Sequence, residues 1–368
     1  MVNKVADAPN IVRVKISPEQ LERYKKAGYR VIGKYLHSGV EICRWTKAAL
    51  KGERFCYKKW YGVASHRCVQ MTPTLDFCNF SCIFCWRMFS PDRFKSAMEW
   101  DDPKTIVDAA VRAQRELLAG YKGHPKTTTE RFLEAMHPVH FAISLDGEPT
   151  LYPHIVELIN EVKKRGWTAF LVTNGTVPHR LKEMLRKNVV PTNLYISVYA
   201  TNPEDYKRIT NSFIPNPMDM VIKSLKLMPE FEKKRCRTVF RMTLVKGLNL
   251  KDPQGYSKLI KLANPMFVEL KGYTWAGEST KRLPREAMPT LEELIEFAKA
   301  IEKETGYHIK EIDEKSRVVM LVRDEETWLK NLEWIKEQNK KIKEYDEKWK
   351  EKLKGKDLKH LLKHKLLE

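Results

Sequence analysis

The sequence predicts an α/β chain whose centre is a partial, open (β/α)6 barrel of the TIM-like kind. Three observations carry that expectation. Six short apolar runs succeed one another: "QMTPTLDF" (70–77), "HFAISL" (140–145), "TAFLVT" (168–173), "NLYISV" (193–198), "TVFRMTLV" (238–245) and "MFVELKG" (266–272). Amphipathic segments alternate with them, as in "HIVELINEVKKRG", where Ile155, Leu158, Ile159 and Val162 share one helical face. Strand then helix, repeated, makes a parallel sheet wrapped by helices, and six units fall short of the eight that close a full barrel.

Taken in order, residues 1–70 read as irregular and helical and are rich in Tyr, Trp, Lys and Arg. The strand and helix pairs follow from 71 to 306, with helices expected at 102–121, 154–166, 179–188, 217–229, 255–263 and 290–304. Residues 307–368 form the third unit. In it "YHIKEIDEKSRVVMLV" reads as a hairpin, and 325–355 as a long helix with Trp328, Leu332, Ile335 and Ile342 on its apolar stripe. Catalytic groups of such a barrel are expected at the carboxyl ends of its strands.

Composition narrows the function. No run of 18 apolar residues appears, and "MVNKVADAPNIVRVK" lacks the apolar core of a signal peptide, so a cytoplasmic protein without a membrane partner is expected. The net charge is +20, and residues 1–70 hold fifteen Lys or Arg against five Asp or Glu. Half of the excess therefore lies in a fifth of the chain, which points to a polyanionic partner such as nucleic acid rather than to an evenly charged surface.

Six of the seven cysteines fall between 43 and 85, and clustering in a reducing compartment favours metal binding over disulfides. In "LDFCNFSCIFCWRMF", Cys78, Cys82 and Cys85 stand at C-x3-C-x2-C spacing directly after the first strand. Structural zinc wants four protein ligands, and a [4Fe–4S] cluster usually takes four cysteines. Three leave one iron open to a small molecule. The motif, with Phe84 before its last cysteine, resembles the radical S-adenosylmethionine (SAM) superfamily. That resemblance implies a [4Fe–4S] cluster that binds the methionine end of SAM and cleaves it to a 5′-deoxyadenosyl radical. It also implies SAM contacts from Gly147 and Glu148 in "LDGEP", from Thr173 and Asn174 in "VTNG", and from Ser197 in "ISVYA". Tyr199 stands where the superfamily pattern would put an acidic residue.

Cys43, Cys56 and Cys68 are spaced by 13 and 12 residues, too widely for a zinc ribbon, and by spacing alone they read as scattered thiols. Together with "TPTLDFCNFSCIFCWR", "LDGEPTLYP", "VTNGT", "RMTLVKG" and "VELKGYTWAGES", however, this C-x12-C-x11-C set resembles the tRNA wyosine-base synthase family, the 4-demethylwyosine synthases. The resemblance runs from about residue 40 to 300. It implies a carbon–carbon lyase-class reaction of N1-methylguanosine-37 in tRNA(Phe) with pyruvate. It further implies a second [4Fe–4S] cluster on Cys43, Cys56 and Cys68, and an external one-electron donor of flavodoxin or ferredoxin type. Lys58, two residues after Cys56, is then the candidate for a Schiff base with pyruvate, made reactive by a depressed pKa, with Lys59 as the alternative. The basic 1–70 segment is expected to grip the anticodon stem-loop, with Arg54, Lys58 and Lys59 on phosphates and Trp45, Trp60 and Tyr61 as candidate base-stacking rings or core aromatics. Cys236 is expected to be a buried bystander, and the chain to act as a monomer. Two rival readings are another radical SAM RNA-modifying enzyme of methylthiotransferase type and a non-catalytic tRNA-binding iron–sulfur protein.

Overall fold

The computed structural model describes residues 16–88 and 99–354, so the expectations for 1–15 and for the chain after 354 lie outside the described residues. Its strands are β1 (Arg30–Ile32), β2 (Ser38–Glu41), β3 (Cys68–Thr72), β4 (His140–Ile143), β5 (Thr168–Thr173), β6 (Asn193–Val198), β7 (Arg237–Leu244), β8 (Phe267–Gly272), β9 (His308–Asp313) and β10 (Val318–Val322). They form one sheet in the order β1-β2-β3-β4-β5-β6-β7-β8-β10-β9. From β3 to β8 all neighbours are parallel and follow chain order, as a (β/α)6 arrangement requires. β2 joins β3 antiparallel, and β10 joins β8 antiparallel, so the N-terminal segment and the hairpin extend the same sheet on either side.

The first parallel strand begins and ends earlier than the apolar run 70–77 suggests. Pro73 has no amide to donate to a ladder, and Asp76 adopts φ 60°, so the chain leaves the sheet after Thr72. Cys68 is consequently the first residue of the strand. The helix expected at 217–229 is two helices, Pro217–Leu225 and Met228–Lys233, because Pro229 cannot continue the first and instead opens the second. Other helices start the same way, at Pro103, Pro178, Pro203 and Pro253, each directly after a strand-end loop or a capping Asp or Asn.

Side chains alternate between two faces of the sheet. Ala169, Leu171, Leu194, Ile196, Phe240 and Val268 pack outward into the helices. Phe170, Tyr195, Val239, Phe267, Val318 and Met320 point inward, where Tyr57, Trp60, Tyr61 and Val63 fill the space. The short 3-10 helix Tyr57–Tyr61 thus plugs the inner side of the sheet. His140 ties this plug to the sheet, accepting a hydrogen bond from Ala64 N at 3.1 Å, and burial lowers its pKa to about 3, which keeps the ring neutral.

The long helix Glu325–Leu353 closes this end, but partly through polar residues. Buried Asn331 accepts from Arg237 Nε at 2.7 Å and donates to Trp60 O at 3.0 Å, and Gln338 donates to Gly62 O at 3.1 Å. Arg67 holds Asp346 through two hydrogen bonds of 2.8 and 2.6 Å. Leu332, expected on the apolar stripe, is instead 38% exposed, since the helix turns its Asn331/Gln338 edge inward. Asn331→Ala strands a buried guanidinium and a carbonyl at once, and urea unfolding is expected to show a loss of about 3 kcal/mol. Leu332→Ala should cost less than about 0.5 kcal/mol, as a surface substitution does.

Candidate active site

Cys78, Cys82 and Cys85 lie in the loop after β3, which neighbouring segments hold by its backbone. Ser81 N donates to Thr210 O at 2.9 Å, Ile83 N to Ile209 O at 3.0 Å, and Phe213 N to Asn79 O at 3.1 Å. From the other side Arg282 donates to Ile83 O at 3.0 Å and also to Cys85 O. Burial pushes the Cys82 thiol well above its usual range, and the charges of Cys85 and Cys78 push it further. Such thiols ionise when a cation ligates them. Among the described residues no group of three His, Cys, Asp or Glu could hold a single metal ion as placed. A cubane spreads its thiolates more widely than one ion does, and the all-thiol donor set suits iron–sulfur chemistry.

The expected SAM contacts come together beside this loop. The buried Glu148 carboxylate accepts from Thr150 N (3.0 Å), Thr150 Oγ1 (2.6 Å), Thr173 Oγ1 (2.6 Å) and Asn174 N (2.6 Å). It therefore bridges the ends of β4 and β5. Burial raises its pKa, and those donors oppose the rise. Gly147 has φ +68°, and a Cβ there would sit 1.9 Å from Thr74 O, so only glycine fits. Asn174 Nδ2 reaches Asn79 Oδ1 at 2.7 Å and Cys78 Sγ at 4.0 Å, linking the end of β5 to the cysteine loop. Ser197 is buried at the end of β6. Phe84 packs on Tyr199 with ring centroids 5.1 Å apart, and Tyr199 also touches Phe80 and Tyr206. The residue that departs from the superfamily pattern is thus an aromatic support for the cysteine loop.

The second cysteine set is assembled from three separate elements. Cys43 precedes the helix Arg44–Leu50, Cys56 precedes the 3-10 helix, and Cys68 opens β3 on its inner face. Burial raises the Cys56 and Cys68 thiols to about 12, and each is also raised by the charge of Cys43. Burial raises Cys43 as well. The charge of Lys58 acts in the opposite sense on all three. Its Nζ lies 5.0 Å from the Tyr195 ring centre and 5.4 Å from that of Phe170, on the inner side of the sheet. Lys59, one residue on, is exposed.

Several expectations for the basic segment change. Arg54 is committed to Asp313 at 2.6 Å and Lys58 faces inward, so of that run Lys59 alone is an exposed cation. Trp60 and Tyr61 are core residues, 5% and 0% exposed, which excludes them as stacking platforms. Trp45 lies between the guanidinium groups of Arg44 and Arg54, at 4.6 and 5.3 Å. Cys236 is buried just before β7, as expected.

Sequence reasoning missed a charged group on the inner face. Arg241 donates to Tyr57 Oη at 2.7 Å and to Glu269 at 3.2 Å, and Glu269 also accepts from Tyr61 Oη at 2.8 Å. Lys271 lies on the same face of β8, two residues beyond Glu269, and burial lowers its pKa to about 8. The period-two spacing of Glu269 and Lys271 in "VELKG" was the available signal, since charges at alternate positions of an apolar strand must share a face.

Comparison with known proteins decides the family. The radical SAM superfamily profile matches residues 72–260, and the profile for wyosine base formation matches 262–323. The S-adenosyl-L-methionine-dependent tRNA 4-demethylwyosine synthase of Pyrococcus horikoshii is 45% identical over 334 residues, 88% of this chain and 96% of that protein. The chain belongs to the tRNA 4-demethylwyosine synthase family. The Pyrococcus abyssi synthase is 46% identical, covering 86% of this chain and 93% of its own. A solved structure of TYW1 with a lysine-pyruvate adduct bound superimposes with a TM-score of 0.75 at 31% identity, over 85% of this chain and 98% of that one. As a 4-demethylwyosine synthase the chain is a radical SAM enzyme, and that superfamily brings SAM and a [4Fe–4S] cluster. Among the described residues no helix is long and apolar enough to cross a membrane.

Proposed function

We propose that this chain makes 4-demethylwyosine from N1-methylguanosine-37 of tRNA(Phe) and pyruvate, using a cluster on each of its two cysteine sets. The observation that carries the reading is the second set. In a chain of this family, Cys56 and Cys68 pack against the same inner cluster, and Lys58, two residues after Cys56, points inward over the rings of Phe170 and Tyr195. When bound, the cluster on Cys78, Cys82 and Cys85 supplies the electron that cleaves SAM. Glu148, with Gly147, Thr173, Asn174 and Ser197 around it, orients SAM through an acceptor at the strand ends, and Phe84 backs the loop. Lys58 binds pyruvate covalently: its amine nitrogen bonds to the keto carbon, and the carbonyl oxygen leaves as water. The relative with a lysine-pyruvate adduct supports this chemistry, and the exposure of Lys59 favours Lys58 over it.

For the RNA, Lys59 stays and exposed Arg44 and Lys47 replace Arg54 and Lys58 as candidates for anticodon stem-loop phosphates. We take the protein to act as a cytoplasmic monomer fed by an external flavodoxin- or ferredoxin-type donor. Anaerobic incubation with methylguanosine-bearing tRNA(Phe), SAM, pyruvate and dithionite, followed by nucleoside mass analysis, tests the function. The expected product is the tricyclic base at position 37. SAM cleavage with unchanged tRNA would favour the rival RNA-modifying reading, and no SAM cleavage at all would favour a binding protein.

A further inference from the structure

We propose that the exposed indoles of Trp86 and Trp275 form a stacking platform for unpaired anticodon-loop bases beside the target nucleotide; this rests on the reading of position 37 given above. Of the nine tryptophans in the chain, all within the described residues, only these two are exposed, at 45% and 41%. Trp86 lies in the loop after β3 and Trp275 in the loop after β8, the first and last of the parallel strands. The two loops meet at the carboxyl ends of those strands. Glu278 N donates to Trp86 O at 3.1 Å, and Arg282 donates to Ile83 O at 3.0 Å and also to Cys85 O. Gly277 has φ +53°, and a Cβ there would lie 2.3 Å from Trp86 O, so glycine lets the backbones touch two residues after Trp275.

Each ring is fixed without being covered. The Arg87 guanidinium lies 3.3 Å from the centre of the Trp86 ring, and Arg87 is itself buried, tied to Glu41 at 3.1 Å and to Tyr29 Oη. Trp275 Nε1 donates to Leu283 O at 2.8 Å, which satisfies its one polar atom and pins the indole to its own loop. Pre-ordered aromatic faces suit unpaired nucleobases, because every base has a face to stack and none of its edges need be read. The surrounding charge admits a polyanion. Glu278 is paired with Lys281 at 2.8 Å and Arg23 at 3.5 Å, and Glu41 with Arg87, while Arg282 and Arg285 are exposed beside Glu286, the loop's one exposed carboxylate. A single exposed tryptophan needs no explanation. Two on touching loops, one directly after Cys85, stand where the RNA substrate of this family must come close. The competing occupant of this surface is the protein that donates the electron.

The test uses the reconstituted full-length enzyme with Trp86→Leu and Trp275→Leu, and with Trp86→Phe and Trp275→Phe as aromatic replacements. Affinity is measured at several salt concentrations for methylguanosine-bearing tRNA(Phe), for its anticodon stem-loop and for a fully paired RNA of the same length. Iron content and SAM cleavage without tRNA are read alongside, with dithionite and with flavodoxin as reductant. Each Leu variant should bind the stem-loop about five- to 150-fold more weakly, the size of one lost base stack. The slope of log affinity against log salt should not change, since no phosphate contact is lost. Binding of the paired RNA, iron content and SAM cleavage should also hold, and the Phe variants should recover most of the affinity. Unchanged RNA affinity in both Leu variants, or an equal loss with the paired RNA, would overturn the proposal. So would unchanged RNA affinity with slower flavodoxin-driven cleavage, which would assign the surface to the electron donor. Should Trp86→Leu lose iron, Trp86→Phe and Trp275→Leu decide. If the unsubstituted enzyme binds tRNA(Phe) but not the stem-loop, the position-37 reading fails, and the whole-tRNA affinities still decide whether the two tryptophans hold RNA.

Discussion

In the Lys58→Ala protein, formation of the tricyclic nucleoside should fall by on the order of a thousandfold or more, the scale of losing a covalent nucleophile. Lys59→Ala should keep its activity. The two side chains are adjacent in sequence but leave the 3-10 helix on different sides, Lys58 over the rings of Phe170 and Tyr195, Lys59 in solvent. Borohydride reduction in the presence of labelled pyruvate should attach three carbons to the peptide containing residues 54–60, and the label should vanish in Lys58→Ala only. SAM cleavage without tRNA turnover should survive the substitution, because the strand ends proposed to bind SAM do not involve Lys58. Normal product from Lys58→Ala would mean that pyruvate is held without a Schiff base here.

Replacing Cys43, Cys56 and Cys68 together should lower reconstituted iron from about eight to about four per chain, since each [4Fe–4S] cluster holds four. SAM cleavage should persist, while product formation should be lost. Replacing Cys78, Cys82 and Cys85 should also leave about four irons but abolish SAM cleavage. The asymmetry follows from position. The 78–85 loop touches the strand ends proposed to bind SAM through Asn174 and Asn79, whereas Cys56 of the second set stands two residues before Lys58. Full iron content in the Cys43/Cys56/Cys68 triple variant would show that these thiols hold no cluster.

Much of the site was legible because its chemistry is local in the chain. Cys78, Cys82 and Cys85 are close together in sequence, so their spacing alone implies a shared ligand. Gly147 and Glu148 lie in the loop after β4, and Thr173 and Asn174 at the end of β5, and neighbouring parallel strands bring their ends together. The structure adds the reason for each: a backbone carbonyl 1.9 Å from any Cβ at 147, and four hydrogen bonds converging on one carboxylate. Leu332 was misplaced, and Trp60 and Tyr61 stayed open between base stacking and core packing, because residue type does not say which way a short or polar-edged helix turns. Pro73 and Pro229 were readable breaks whose effect the apolar periodicity around them concealed.

By itself the sequence determined the six-unit parallel core, the Cys78/Cys82/Cys85 set and the family, because apolar periodicity and short-range motifs are properties of consecutive residues. Only the tertiary structure decided what meets on the inner face of the sheet. Tyr61 and Glu269 are more than two hundred residues apart, and nothing in their local sequence pairs them. They meet because the 3-10 plug folds back onto a sheet whose β8 turns every second side chain inward. The physical reason is that burial and charge compensation depend on what lies across the interior, and that is set by packing rather than by neighbours along the chain.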